Sequence, residues 1–360
     1  MAVPQNFVVR RAGPHHLPEL GRLVDEVMRP YATPGEGMAR RFPLLYRADN
    51  ANNLYFISDT DDRPISMAPV WRGAVVTGGV RVPMAAIGSV ATKAEHRGHK
   101  LASRILQRIW EELVAERVAV ALISGRRSLY HRLGAVEAGD FIMAEVPAER
   151  SNLELWNGMV ERVSPPYSED FAVSLAAIYL AEGVRYSRTV REMGELLEGL
   201  AYPRRNTQHD LYIAKRGERI MAYVIAGVSD RWRGSRVMEW AGARQAVVAL
   251  AQQAAVEYQT PSTHLMFRSQ DWSMRDYVEE AGWSMTKCLN LGTMAIVDWR
   301  SFHAAISPWL DETQVHEKKR MKATELTRGR YSSDGALTQW VFSEEGLHFP
   351  WPYAGELNYV

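Results

Sequence analysis

The stretch VATKAEHRGHKLA, Val90 to Ala102, decides the fold. An apolar run from Met84 to Ala91 leads into it, a short polar loop follows Thr92, and Arg97-Gly98-His99-Lys100-Leu101-Ala102 opens a helix. Strand, loop and helix N-terminus in that order suit an anion, because unpaired backbone N–H groups and the positive end of the helix dipole converge there. Arg97 and Lys100 add formal charge, and Gly98 lets a ligand approach the backbone closely. The helix is marked by Leu101, Ile105, Leu106, Ile109 and Leu113 on one face, with Arg104, Gln107, Arg108 and Glu111 on the other. Val118 to Ile123 then has the length and continuous apolar character of a buried strand. The loop carries neither GxGxxG nor the GxxxxGK of a P-loop, so a pyrophosphate held in another way is expected.

These residues resemble the acyl-CoA-binding motif of the GNAT superfamily of N-acyltransferases: Gln or Arg, two residues, Gly, one residue, then Gly or Ala. Arg97 and Ala102 fit the pattern. Lys100 stands where the family has glycine, a change the loop tolerates if Lys100 takes ordinary helical φ/ψ and keeps its N–H in place. By resemblance, the Val90 and Ala91 backbones pair with the pantetheine arm, while Arg97, Gly98, His99, Lys100, Leu101 and Ala102 cradle the pyrophosphate of acetyl-CoA, the co-substrate. Without the resemblance, the segment reads as a basic helix start on a solvated loop.

Downstream, Tyr130-His131-Arg132-Leu133-Gly134-Ala135 resembles a segment of the enhanced-intracellular-survival (Eis) subgroup of GNAT enzymes. In that subgroup the matching tyrosine protonates the departing CoA thiolate, which makes Tyr130 the expected general acid. A phenol suits the task because it stays protonated at neutral pH and can donate to a developing sulfur anion. A tyrosine packed in the core is the structural alternative.

A chain of 360 residues suggests two or three domains. Apolar residues make up 46% and charged residues 24%, which is ordinary globular usage. A formal net charge of +1 argues against a nucleic-acid partner or a membrane surface. The lone cysteine, Cys288, excludes an intrachain disulfide and a multi-cysteine zinc site, and no metal is expected. With no signal-like or membrane-spanning apolar segment, a cytoplasmic protein is expected.

The pattern predicts a strand at Phe7–Arg10, a helix over Leu17–Met28, a hairpin from Leu54–Ser58 to Ile65–Val76, and one continuous strand over Val80–Ala91. The order β, α, β, β, β, α, β, α is the GNAT arrangement. Leu211–Ala226 repeats the hairpin, Val237–Ala241 precedes a helix over Arg244–Glu257, and Thr263–Arg268 precedes another helix. The repeat lacks an anion loop; the other reading of this half is an unrelated α+β domain. The fold class expected is therefore mixed α+β, with tandem GNAT folds whose mixed sheets are flanked by helices. Residues 1–150 form a catalytic domain, 151–290 a degenerate one, and 291–360 a short sterol-carrier-like domain, the last by resemblance to Eis proteins.

In the Eis subgroup the C-terminal carboxylate serves as general base, which nominates Val360. Asp25, Glu26 and Glu36 are candidates to line a pocket for a cationic amine, although carboxylates on a helix are ordinarily a solvated face. The function implied is N-acetyl transfer to a primary amine, on a small molecule or peptide, in a protein that assembles as a homo-oligomer as Eis-like proteins do. The alternative is a non-catalytic CoA-binding or structural protein; a transferase using charged tRNA is disfavoured by the absence of a basic arm.

Overall fold

The computed structural model describes residues 7–30, 37–149, 156–202, 207–229, 232–313, 315, 317–326 and 335–355. Strand β1 (Arg10–Arg11) leads through helix α1 (Leu17–Met28) and two single turns, α2 (Met38–Arg41) and α3 (Pro43–Tyr46). Strands β2 (Leu54–Ser58), β3 (Pro64–Thr77), β4 (Val80–Ile87) and β5 (Ala91–Thr92) follow, then α4 (Leu101–Ala115), β6 (Val120–Ile123), α5 (Ser128–His131) and β7 (Phe141–Pro147). The next stretch holds β8 (Met159–Val163), α6 (Glu169–Leu180), β9 (Val184–Tyr186), α7 (Val190–Glu198), β10 (Thr207–Arg216), β11 (Arg219–Ser229) and β12 (Ser235–Gly242). After α8 (Arg244–Glu257) come β13 (Ser262–Arg268), α9 (Trp272–Glu280), β14 (Met285–Cys288), β15 (Thr293–Ile296), α10 (Trp299–Glu312), α11 (Glu317–Leu326) and α12 (Gly335–Phe342).

Two mixed sheets result. The first runs β1-β2-β3-β4-β6-β15, with β5 and β9 also paired to β3; the second runs β14-β7-β13-β12-β11-β10-β8. The continuous apolar runs are explained by burial on both faces. In β2, Leu54 and Phe56 face a cluster shared with α1, whereas Tyr55 and Ile57 face α4; in β6, Val120 and Leu122 divide from Ala121 and Ile123 in the same way. Burial of Leu101, Ile105, Leu106, Ile109 and Leu113 clamps α4 to its face with roughly 10 kcal/mol of hydrophobic driving force. The second sheet repeats the scheme, with α8 on one face and α6 and α7 on the other.

The sheets are interlocked through the chain path. After α5 the chain leaves the first sheet, and β7 pairs with β13 and β14 in the second. It returns at β15, antiparallel to β6. The segment from Trp299 onward has its apolar residues in the first sheet's cluster: Trp299, Phe302, Trp309, Phe342, Phe349 and Trp351 pack with residues of α1, β3 and β4. The charged run near residue 320 is the helix α11. No described helix is long and apolar enough to cross a membrane.

The tail crosses from one sheet to the other on specific bonds. Thr77 Oγ1 donates to the Pro350 carbonyl at 3.0 Å, and Gln270 Nε2 donates to the His348 carbonyl at 3.2 Å. Asn290, only 1% exposed, donates to the Pro352 carbonyl at 3.3 Å and accepts the Ala354 N–H at 2.7 Å. Asn290→Ala therefore strands two buried backbone groups and is expected to lower stability by roughly 2–4 kcal/mol. Chemical denaturation measures the loss, and limited proteolysis should show earlier cutting of the tail.

Candidate active site

The site begins where two parallel strands part. β4 and β6 pair from Met84 opposite Val120 to Ile87 opposite Ile123. Beyond that point the line of β4 breaks at Gly88–Val90 and resumes as β5 against β3. The strand expected to run unbroken over Val80–Ala91 is thus interrupted, because Ser89 takes a left-handed backbone with φ +48°. Neither Ser89 nor Val90 gives its backbone N–H to a described residue. Polar groups so exposed inside a fold are a reservoir for ligand bonds.

A second set of donors lies at the start of α4. From Gly98 through Ser103 no backbone N–H reaches a described acceptor, and the helix carries no side-chain cap. These groups, together with the helix dipole, form an anion cradle. Gly98 has φ +87° with nothing near the position a Cβ would take. Lys100 departs from the helical geometry its role was expected to need: φ +58° and ψ 22° are left-handed, the conformation a glycine would adopt. Its N–H remains available, at the cost of strain.

The cleft over this cradle measures about 680 Å³ and is lined by Val90, Arg97, Gly98, Lys100, Leu101 and Ala102, with Arg127 and Arg132 from the opposite lip. Among the described residues no carboxylate lines it. Arg97 Nε donates to the Thr92 carbonyl at 3.3 Å, which ties the guanidinium to the loop. The His99 ring turns towards Phe7, with centroids 6.4 Å apart, leaving its backbone N–H at the cradle. Ala91 is buried in β5, and its carbonyl accepts from Ser66 Oγ at 3.1 Å.

The cleft shares Met28, Val90 and Arg127 with an adjoining cavity of about 330 Å³, whose wall includes Met38, Phe42, Ser89, Ser124, Gly125 and Tyr130. Tyr130 is 5% exposed and packs so closely on Gly125 that a Cβ there would sit 2.8 Å from its ring. Burial raises the phenol above its ordinary value, and the Arg127 charge works against that rise. Its hydroxyl has no described hydrogen-bond partner. Thr293 Oγ1, on β15, donates to the Gly125 carbonyl at 3.1 Å and fixes this lip.

Of the acidic candidates, Asp25 Oδ1 accepts the Met38 N–H at 2.7 Å, so its carboxylate holds the cavity wall. Glu26 is exposed and pairs with Lys93 at 3.7 Å. Glu36 and Val360 lie outside the described residues. The sequence pattern did not single out Ser89, Arg127 or Arg132. The paired arginines just ahead of Tyr130 were the available signal for Arg127; nothing local marks Ser89. Among the described residues no cluster of metal-binding side chains occurs.

A larger groove, of about 940 Å³, lies on the second sheet between α6 and the β10–β11 hairpin. Four of its charged groups are already paired, Lys215 with Glu161 and Arg244 with Glu182. Glu182 accepts the Gly242 N–H at 2.9 Å and both Arg244 guanidinium nitrogens at 2.8 and 2.9 Å. The first sheet's cleft, with unpaired donors, is therefore the better ligand site.

Lys100→Gly should relieve the left-handed strain and stabilise the fold by about 1 kcal/mol or less, after glycine's greater unfolded-chain entropy is subtracted. Calorimetry should show Tm rising by about 1–3 °C. Loss of the cation should weaken pyrophosphate binding at low ionic strength.

Residues 8–138 match the acetyltransferase (GNAT) domain family, a stretch that holds β1 to β6 and the cleft's anion cradle. No curated protein matches the chain. Among solved structures, a probable N-acyltransferase from Enterococcus faecalis aligns with TM-score 0.61 and 20% identity, covering 84% of this chain and 75% of that one. A GCN5-related N-acetyltransferase from Anabaena variabilis gives TM-score 0.61 and 16% identity, over 83% and 75%. Eis1 from Mycobacterium abscessus gives TM-score 0.54 and 16% identity, over 81% and 74%. At these identities the likeness is one of fold.

Proposed function

We propose that this chain transfers an acetyl group from acetyl-CoA to a primary amine, with catalysis in the first lobe. The observation that carries the reading is the unbroken run of free N–H groups from Gly98 to Ser103, ringed by Arg97, Lys100, Arg127 and Arg132. A diphosphate with a further phosphate satisfies those donors and charges together. A thioester arm laid along Val90 would bring its carbonyl to the free N–H groups where the strands part. Those donors are placed to stabilise the oxyanion.

The amine nitrogen attacks the thioester carbon, forming the C–N bond. The C–S bond then breaks, Tyr130 gives its proton to sulfur, and a base takes the proton that nitrogen must lose. The base in this proposal is the Val360 carboxylate. Support for its reach comes from the tail: Ala354 is bonded to Asn290, which lies on the approach to Thr293 and so to Gly125.

The second lobe is proposed as a GNAT-like partner without CoA, giving the tandem arrangement. Its β12 and β13 also pair only at Ser235–Arg236 with Thr263–His264 before parting. Protein groups fill that gap: Trp240 Nε1 donates to the Met266 carbonyl at 2.8 Å, and Glu182 occupies the helix start. The sterol-carrier-like reading of residues 291–360 has less support, since their apolar side chains share the first sheet's core.

Arg97→Glu should abolish acetyl-CoA binding by calorimetry, since it places a carboxylate at the pyrophosphate. Tyr130→Phe should leave that affinity intact and lower kcat by about 10²–10³-fold in a thiol-release assay. Because burial raises the phenol, its acid form persists as pH rises and is lost only through the raised pKa. The wild-type rate should therefore show no loss of the acid below about pH 10. Binding without turnover for any amine would favour the non-catalytic CoA-binding alternative. Removal of residues 356–360 tests the base: kcat should fall while acetyl-CoA affinity holds.

A further inference from the structure

Ser89 combines features that packing alone does not explain. It sits in the break between β4 and β5 and is 4% exposed, yet it lines the cavity beside Tyr130. Its backbone is left-handed, a conformation in which glycine would be unstrained and serine is not. Its Oγ is buried without a well-formed hydrogen bond to any described residue. The Tyr46 hydroxyl faces it, equally buried and also without a well-formed bond. Two adjoining buried hydroxyls left short of partners mark a place where a polar ligand atom belongs. Strain held at such a point is characteristic of functional backbone.

We infer that the Ser89 hydroxyl, backed by Tyr46, is the hydrogen-bond acceptor that seats the substrate amine in its neutral form beside the thioester. The inference rests on the acetyltransferase reading and extends it to the second substrate. A serine oxygen can direct its own O–H to the Tyr46 oxygen and turn its remaining lone pairs to the cavity. An amine that donates one N–H to those lone pairs keeps its own lone pair free for the thioester carbon. An ammonium ion has no such lone pair, and Arg127 in the same wall disfavours its charge, whereas Arg126 beside it is paired with Glu137 at 2.8 Å. The charged groups acting on Tyr46 are Asp25 and Arg29; burial foremost holds its phenol above the ordinary range, so it stays protonated. Met28, Met38 and Phe42 supply the apolar wall against which an alkyl stem can lie.

The test uses the full chain with cadaverine and Nα-acetyl-lysine amide as acceptors, reading thiol release, alongside calorimetry with acetyl-CoA. Ser89→Ala should lower kcat/KM for the amine by about tenfold or more while acetyl-CoA affinity stays within about twofold. Ser89→Gly removes the hydroxyl and the strain together. It should be the more stable protein and yet show the same loss, which separates the hydroxyl from the backbone. Ser89→Thr should recover part of the activity, and Tyr46→Phe should show a smaller loss confined to the amine. If Ser89→Ala and Ser89→Gly keep kcat/KM for the amine within twofold of wild type, with acetyl-CoA bound normally, this inference alone is overturned. Failure of the wild type to bind acetyl-CoA would overturn the acetyltransferase reading and this one with it.

Discussion

The structure depends on keeping two parallel strands apart. A ladder that pairs Ile87 with Ile123 has no inherent reason to stop there, since pairing would satisfy the backbone groups beyond it. Three local facts prevent closure. Ser89 turns the backbone out of the extended region, β5 is drawn to β3 by pairing of Ala91 with Met67, and Tyr130 is wedged against Gly125 on the other lip. Each unsatisfied buried donor costs about 1–3 kcal/mol. The apolar clusters on both faces of the sheet provide the stability against which that cost is tolerated. The start of α4 points its own free N–H groups at the same opening, so one gap gathers two sets of unpaired backbone donors.

The second sheet has a similar gap that its own side chains fill. Between β12 and β13 the backbone also parts, but Trp240 spans the opening to Met266. Glu182 supplies an internal anion to Gly242 and Arg244. Deeper in, Arg188 and Glu239 form a fully buried bidentate pair at 2.8 and 2.7 Å, with Tyr223 donating to the same carboxylate at 2.8 Å. Such a pair is stable only because each charge has the other and a further hydrogen bond. Side chains here occupy the kinds of position that the first sheet leaves open.

What could be read from the amino-acid pattern was what local periodicity encodes. The apolar face of α4 and the buried run of β6 appear where their spacing placed them, and α1 has its predicted limits. The break in the strand at Ser89 was not legible, because β-rich flanks of Met84 to Ala91 carry no sign of one residue's φ. Lys100 is a similar case: a lysine in a helix-opening position gives no hint of a left-handed backbone. Non-local pairing was equally hidden. That β7 would join the second sheet and β15 the first follows from which edges remain open after folding, not from either segment's composition. The aromatic residues of the C-terminal region were visible as apolar, but their sharing of a core with α1 is a property of the assembled chain.

That shared core bears on how the site is held. The lip that carries Tyr130 is tied down by Thr293, on a strand that arrives only after the chain has traversed the second sheet. Asn290, just ahead of that strand, also grips the tail. One short segment, 290–293, therefore connects the cavity lip, the edge of the first sheet and the course of the tail. Residues far apart in sequence are mechanically coupled through it, since displacing the tail removes bonds from Asn290 and slackens the anchor beside Gly125. A cavity whose floor is strained at Ser89 and whose lip is pinned from a distant strand is rigid by construction. Rigidity of that kind would suit the direct attack proposed above, which needs the nitrogen, the carbonyl carbon and the acid aligned before the reaction begins.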